Sequence, residues 1–259
     1  MKKLSEIFKI EKPAITKPNL TNPMSFKQWE SHFETVRNER VLSLSKALSD
    51  VMANVPESRK LIILADIVGF SQDSTREQVR KIYLFQRYLG MQVINSKMSF
   101  QKRVQVSHFV PTGDGCYIIA DNCKPEIALN FLVSLISGFK SIQTGDEKPM
   151  ALRASALIGS CVPILDMARH KNYIGEGMNE AARILSGGQK SLEEEFLRKN
   201  PDKSEADAKA FSENSLYLGL SLAEGIESYA DACQEVVRYE GVADKHGKRR
   251  DIVILRGVQ

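Results

Sequence analysis

Asp66 and Asp114 are the residues whose surroundings most directly suggest chemistry. The apolar run Leu61-Ile62-Ile63-Leu64-Ala65 leads into Asp66, and Gly69 follows within Asp66-Ile67-Val68-Gly69-Phe70-Ser71. That pattern describes a buried strand ending in a carboxylate and passing into a tight turn of phosphate size. Asp114 lies between Gly113 and Gly115, and the apolar run Cys116-Tyr117-Ile118-Ile119-Ala120 reads as the strand leaving a hairpin turn. Two carboxylates at the ends of neighbouring central strands can hold a pair of divalent cations, which is what an in-line attack on phosphorus needs. The chain therefore reads as a phosphoryl-transfer enzyme built around these two aspartates. Singly, each has an ordinary explanation, Asp66 as a helix cap and Asp114 as a hairpin residue, since aspartate is favoured in both places.

A third stretch is left unexplained by those ordinary readings: Tyr173-Ile174-Gly175-Glu176-Gly177-Met178-Asn179-Glu180-Ala181-Ala182-Arg183. Together with Asp66-Ile67-Val68-Gly69-Phe70-Ser71 and Gly113-Asp114-Gly115, in this order and spacing, it resembles the three catalytic motifs of class III nucleotidyl cyclases. The resemblance covers roughly residues 59–256.

Such enzymes bring the ribose 3′ hydroxyl of a nucleoside triphosphate onto its own α-phosphorus and expel pyrophosphate, so the protein must mainly fold the substrate and offset charge. By resemblance, Asp66, the main-chain carbonyl of Ile67 and Asp114 bind two Mg²⁺ or Mn²⁺ ions, one acidifying the attacking hydroxyl and the other bridging the phosphates. Main-chain N–H groups of Val68, Gly69, Phe70 and Ser71 would cradle the triphosphate, with Gly69 offering no side chain to block it. Asn179 and Arg183 project from one helix face. The resemblance implies that the asparagine orients the ribose and the arginine meets charge on the α-phosphate, a role suited to a planar, permanently charged donor. Without the motif around them, a surface asparagine and a solvated arginine would be the simpler account. The family also places a phosphate-binding lysine in the final hairpin, which Lys245 or Lys248 could supply. Class III sites form between subunits, with metals from one chain and the asparagine–arginine pair from the other. This chain carries both sets, which implies a head-to-tail homodimer with two sites.

Two positions that choose the base in the family depart here from the purine pattern. Three residues before Gly113, where lysine or glutamate reads a purine, stands Val110, which cannot hydrogen-bond a base edge. Three before Gly175, where aspartate or cysteine is usual, stands Asn172, whose amide presents a donor or an acceptor according to its flip. These departures resemble the pyrimidine cyclases of bacterial Pycsar anti-phage systems. UTP, giving cUMP, is favoured over CTP by that resemblance alone. The competing class is a non-catalytic nucleotide-binding or interaction module.

The elements needed to position these residues follow from periodicity. Ser74-Thr75-Arg76-Glu77 offers capping chemistry for a helix to about Asn95, with Val79, Ile82, Phe85 and Leu89 along one face. Val104 to Val110 forms the hairpin partner of the strand after Asp114, and Pro125 opens a helix to about Lys140. Leu152 to Ile158 and Cys161 to Leu165 read as two strands joined near Gly159-Ser160, and a helix spans about Met178 to Leu185. A highly charged insertion, about residues 188–214, reads as a solvated helix or pair of helices. The tail supplies a strand Leu216 to Leu220, a helix to about Ala232, a strand Val236 to Tyr239, a basic turn and a strand Ile252 to Leu255. Strand–helix–strand–strand–helix–strand matches an α+β, ferredoxin-like core, the sheet that carries class III cyclases.

Residues 1–58 stand apart as an N-terminal extension to the 59–259 catalytic domain. Pro13, Pro18 and Pro23 defeat continuous helix over 1–24, while Phe26, Trp29, Phe33 and Val36 recur at helical spacing, with Trp29 as a packing anchor. The hydrophobic content of 42% supports a globular core in a chain of 259 residues. A net charge of +4 predicts no nucleic-acid partner but suits a polyanionic nucleotide. The start is broken by charges before any sustained apolar run, and Ile127 to Phe139 is too short to span a bilayer. Cys116, Cys123, Cys161 and Cys233 show no paired spacing, so a reducing cytoplasm is the expected compartment.

Overall fold

The computed structural model describes residues 58–98, 104–140, 150–165, 171–243 and 247–258, together with positions 31, 34, 35, 38 and 39. The chain divides into two compact units, Met1–Pro56 and Glu57–Gln259. In the first, the described positions are helical, and Thr35 Oγ1 donates to Ser31 O at 2.9 Å. The proline-bearing arm and Trp29 lie outside the described residues.

The second unit begins with strand β1 (Ser58–Ile67), a 3-10 turn (Phe70–Gln72) and helix α1 (Thr75–Met98). Ser74 caps α1 by accepting from Glu77 N at 3.4 Å. Strands β2 (Val106–Pro111) and β3 (Gly115–Asp121) form a hairpin, followed by α2 (Pro125–Lys140) and β4 (Leu152–Leu165). Then come β5 (Lys171–Ile174), α3 (Glu176–Lys199), α4 (Glu205–Phe211) and β6 (Leu216–Gly219). Two 3-10 turns (Leu220–Leu222 and Ile226–Ala232) lead to the hairpin of β7 (Glu235–Ala243) and β8 (Arg249–Arg256).

The sheet runs β2-β3-β1-β4-β6-β8-β7, with β5 paired to β4 off this path. Its first four strands are mutually antiparallel neighbours and alternate with α1 and α2 in the expected ferredoxin-like order. β1 is central and covered on both faces, which is why it reads as an unbroken apolar run rather than an alternating one. On one face Leu61, Ile63 and Ala65 pack with Phe85 of α1 and Leu132 and Phe139 of α2. On the other, Ile62 and Leu64 pack with Met178, Ala181 and Ile184 of α3. Asp66, two positions beyond Leu64, therefore ends β1 on the α3 face. No helix among the described residues is long and apolar enough to cross a membrane.

Four expectations are corrected. The two strands expected on either side of Gly159-Ser160 are one strand of 14 residues. Gly159 is there for contact and not for a turn: a Cβ on it would lie 2.8 Å from Gly177 Cα, where the start of α3 crosses the strand. The helix expected to end at Leu185 continues for 24 residues through Gly187-Gly188. A Cβ on Gly188 would meet Tyr217 Cδ1 at 2.6 Å, so this glycine admits a ring instead of stopping the helix. The insertion is consequently the second half of α3 plus α4, and it is not a fully solvated appendage. Leu192 and Ala208 are buried, the Phe196 and Phe211 rings lie 4.5 Å apart, and Arg256 covers Phe211 at 4.1 Å. The helix expected up to Ala232 is replaced by the two 3-10 turns, divided by Gly225 at φ 76°.

Candidate active site

Asp66 is the only charged residue that is buried among the described residues, at 8% exposure. β3 and β4 flank its strand, placing Gly115 opposite it on one side and Arg153 on the other. A buried carboxylate must be paired, and Arg153 supplies the partner: Nε donates to Asp66 Oδ2 at 2.8 Å, and Nη2 forms an ion pair with the same oxygen at 2.6 Å. Oδ1 is left outside that bond.

Asp114 occupies the β2–β3 turn, in which Thr112 N donates to Gly115 O at 3.0 Å and φ is positive only at Gly113 (103°). Glycine at the first central position is the requirement of a II′ hairpin turn. The turn is fastened to β1 by Ile67 N donating to Asp114 O at 3.1 Å. A Cβ on Gly115 would lie 2.1 Å from Ala65 O, so only glycine lets β3 run this close beside Asp66.

The two carboxyl groups come within hydrogen-bonding reach of one another. Burial pushes the Asp66 carboxyl above the usual carboxylate range; Arg153 pulls it back, and the neighbouring Asp114 pushes it up again. Two adjacent carboxylates, one buried, form a donor set that fits a hard divalent cation. Among the described residues no group of three or more His, Cys, Asp or Glu gathers. The rest of such an ion's coordination would fall to main-chain oxygen, water and substrate phosphates, as is usual for Mg²⁺ at a phosphate site.

The turn after β1 narrows the expected phosphate cradle. Val68 N donates to Ala151 O at 3.0 Å, so its N–H extends the sheet and is spent there. Gly69 adopts φ 74° at the head of the 3-10 turn, which is tied by Gln72 N to Gly69 O and by Gln78 Nε2 to Phe70 O, both at 3.1 Å. Nothing in the chain lies within 4 Å of a Cβ on Gly69, so its left-handed backbone is the local reason for glycine. Gly69, Phe70 and Ser71 head a turn whose first N–H groups have no partner within it.

Val110 and Asn172 sit on β2 and β5, which meet through His108 and Tyr173, with ring centroids 5.6 Å apart. Val110 is half-buried against the α3-side core, with no polar atom to offer a base. Asn172 Oδ1 accepts from Tyr173 N at 2.7 Å, which sets its flip and leaves the Nδ2 donors outside that bond.

Asn179 is exposed and Arg183 half-buried, on a face of α3 opposite the one that buries Met178, Ala181 and Leu185. Arg183 lies 3.9 Å from Glu180. Along the same side, Lys248 donates to Glu176 at 3.0 Å and the half-buried Arg250 pairs with Glu180. Lys245 lies outside the described residues. Arg183 is about 9 Å along the helix axis from Gln189, and Asn179 about 15 Å, at a rise of roughly 1.5 Å per residue. Gln189 is the α3 residue that reaches Asp66's partner, because it accepts from Arg153 Nη1. Within one chain, the structure groups Asp66 with Asp114 and sets Asn179, Arg183 and Lys248 elsewhere, on α3 and just before β8.

Arg153, Gln189 and Arg250 were not singled out from the sequence. For Arg153 a signal existed: in Leu152-Arg153-Ala154-Ser155-Ala156-Leu157 it takes an inward position of a central strand, where a charge requires a buried partner. Gln189 and Arg250 look like ordinary members of a polar helix and a basic turn. Beside the Asp66–Arg153 pair lies a cavity of about 970 Å³ bounded by Gly69, Ser71, Lys81, Arg153, Gln189 and Lys209.

No protein-family model matches the chain, and no curated protein sequence does. Solved structures do. The catalytic core of a rhodopsin-guanylyl cyclase with converted specificity, in complex with ATPαS, is similar with a TM-score of 0.53 at 14% identity, over 80% of this chain and 99% of that one. The guanylate cyclase domain of RhGC from Catenaria anguillulae, in complex with GTP, gives 0.51 at 14% identity, over 79% and 100%. The adenylate/guanylate cyclase/hydrolase from Silicibacter pomeroyi gives 0.50 at 14% identity, over 80% and 99%. The α+β fold is that of a class III cyclase catalytic core.

Proposed function

We propose that this chain is a nucleotidyl cyclase that converts a pyrimidine nucleoside triphosphate, UTP in preference, to its 3′,5′-cyclic monophosphate and pyrophosphate. The observation that carries the reading is the pairing of Asp66 and Asp114 at adjacent strand ends beside the left-handed Gly69 turn. In the reaction the 3′ oxygen bonds to the α-phosphorus as the α–β bridging bond breaks. The hydroxyl proton is released and pyrophosphate leaves with the bonding pair. Mg²⁺ or Mn²⁺ held by Asp66, Asp114 and the Ile67 carbonyl would acidify the hydroxyl and offset phosphate charge. Gly69, Phe70 and Ser71 receive the triphosphate through their main-chain amides. Asn179 orients the ribose, Arg183 meets charge at the α-phosphate, and Lys248 or Lys245 adds a cation for the phosphates.

The separation of Asn179 and Arg183 from the carboxylates of their own chain supports a homodimer in which each site takes one half from each subunit. Val110 and the fixed amide of Asn172 support the pyrimidine preference, since a valine and an amide donor replace the groups that read purines in the family. Residues 59–259 would then be the catalytic domain, and the product a second messenger of bacterial anti-phage defence. The test is incubation of the purified protein with each of the four ribonucleoside triphosphates and Mn²⁺, resolving products by mass. A cyclic pyrimidine nucleotide is expected. Metal-dependent binding without product from any triphosphate would mark a nucleotide-binding module instead.

A further inference from the structure

We propose that Gln189, Glu193 and Ser212 are positioning residues for Asp66, acting through Arg153, so that the charged insertion sets how the metal-side carboxylate is presented. This rests on the reading of Asp66 as a metal ligand. An arginine has many rotamers and loses side-chain entropy when held in one, so a single partner at its tip leaves it loosely placed. Arg153 is fixed at both edges of its guanidinium. Nε and Nη2 go to Asp66 Oδ2, while Nη1 goes to Gln189 Oε1.

Gln189 is itself oriented, because its Nε2 donates to Glu193 Oε1 at 2.7 Å. That oxygen also accepts from Ser212 Oγ at 2.8 Å, the shorter and charge-assisted of that hydroxyl's contacts, the other being Lys209 O at 3.0 Å. Ser212 is buried and closes α4, where its N–H bonds to Ala208 O and Lys209 O. The result is a continuous line of bonds from the end of α4, across the second half of α3, to the end of β1. Donors and acceptors are consistent at every step: hydroxyl to carboxylate, amide to carboxylate, guanidinium to amide oxygen, guanidinium to carboxylate.

The line has a definite effect at its far end. With the guanidinium pinned on Oδ2, Asp66 can neither rotate to share both oxygens with Arg153 nor swing from the sheet. Oδ1 stays outside the ion pair, and one unit of the negative charge of the carboxylate pair is offset. Three of the line's five members come from α3 beyond Leu185 and from the end of α4, the segment whose sequence suggested only a solvated appendage.

The experiment measures Mn²⁺ binding without nucleotide, by the electron paramagnetic resonance signal of free Mn²⁺, in the full chain. Thermal melts check that each variant is folded. Gln189→Leu and Glu193→Leu break the line and should weaken Mn²⁺ binding about tenfold, the scale of outer-shell losses at metal sites. Glu193→Gln retains an acceptor oxygen for Gln189 and Ser212 and should restore most of the affinity. Ser212→Ala removes only the last bond and should weaken binding about threefold, a milder change if the leucine variants do not fold. Wild-type affinity in folded Gln189→Leu or Ser212→Ala protein, or equal losses in Glu193→Gln and Glu193→Leu, would overturn the positioning role alone. A wild-type protein that binds no Mn²⁺ would overturn the metal site, and the positioning role with it.

Discussion

Arg153 directs two nitrogens to a single oxygen of Asp66, at 2.8 and 2.6 Å, and the other oxygen of that carboxylate is left outside the ion pair. Asp66 thus has its burial compensated through one oxygen, while the neighbouring Asp114 pushes its carboxyl up. Asp66→Asn keeps an oxygen that Arg153 can meet, so the fold should persist. The charge needed to hold a cation is gone. Turnover should fall by more than the roughly 100-fold that outer-shell changes reach at metal sites, and Asp114→Asn should behave alike. Circular dichroism and cyclic nucleotide formation check the two halves of the prediction. Near-normal activity in either variant removes that residue from the ligand set.

The glycines around the site separate two reasons for having no side chain. At Gly115 a Cβ would meet main-chain Ala65 O at 2.1 Å, and neither strand can yield without breaking the β1–β3 ladder. At Gly69 there is open space, and the only penalty is the left-handed backbone, about 1–2 kcal/mol. In denaturant melts Gly115→Ala should lose at least about 3 kcal/mol, the upper end of overpacking costs, and Gly69→Ala clearly less. Equal losses would mean that the close approach at Gly115 is not rigid.

The same glycines explain where the sequence was legible. Apolar runs, the Ser74 cap and Pro125 announce β1, β3, α1 and α2, because each rests on local propensity and pattern. Gly159 was misleading because glycine marks both turns and close contacts, and only tertiary structure shows that Gly177 occupies the space, as Tyr217 does beside Gly188. Asp66 and Asp114 could be singled out from their flanking strands and turns. The Arg153–Gln189–Glu193–Ser212 line could not, since it joins residues up to 59 positions apart whose types are ordinary for a strand and two helices.

The thiols give an independent check on which side chains are sealed in. Burial pushes Cys116 up to about 12, whereas Cys123 is only half-buried and is raised by the same cause. A raised thiol pKa favours the neutral form, so the thiolate at Cys116 is absent through the neutral range and emerges only as pH rises toward 12. Alkylation of the native protein at pH 8 should label Cys123 first, by peptide mass mapping, and leave Cys116 untouched until denaturant is added. Early labelling of Cys116 would show that the β1–β3 core opens readily.

Complementation tests the shared site. Asp66→Asn subunits lack the carboxylate half, and Arg183→Ala subunits lack the half carried by α3. Each homodimer should be inactive, whereas mixed dimers hold one intact site and should recover up to half the wild-type activity per mixed dimer. Subunit exchange is followed with differently tagged chains. Absence of rescue after confirmed exchange would place both halves of the site within one chain.

In the proposed cyclase, base choice would turn on Asn172. Its Oδ1 accepts from Tyr173 N at 2.7 Å, so the opposite flip would set two N–H groups against each other. The amide therefore presents donors. A uracil edge offers carbonyl acceptors at both O2 and O4, while cytosine puts an amino donor at position 4, where it would face another donor. In the proposed pocket, such an amide would favour UTP over CTP. Shape gives roughly 10- to 200-fold discrimination, and unpaired polar groups at a site built for hydrogen bonds give up to about 10⁴-fold. Asn172→Ala should lower kcat/KM for UTP by more than about tenfold and lower the poor substrates less, narrowing the gap. Asn172→Asp replaces the amide donor with an acceptor and should shift preference toward CTP. Steady-state kinetics with the four triphosphates decides among outcomes. A wild-type preference for ATP or GTP ends the pyrimidine reading and leaves cyclase chemistry standing. A CTP preference unchanged by Asn172→Asp shows that this amide does not read position 4 of the base.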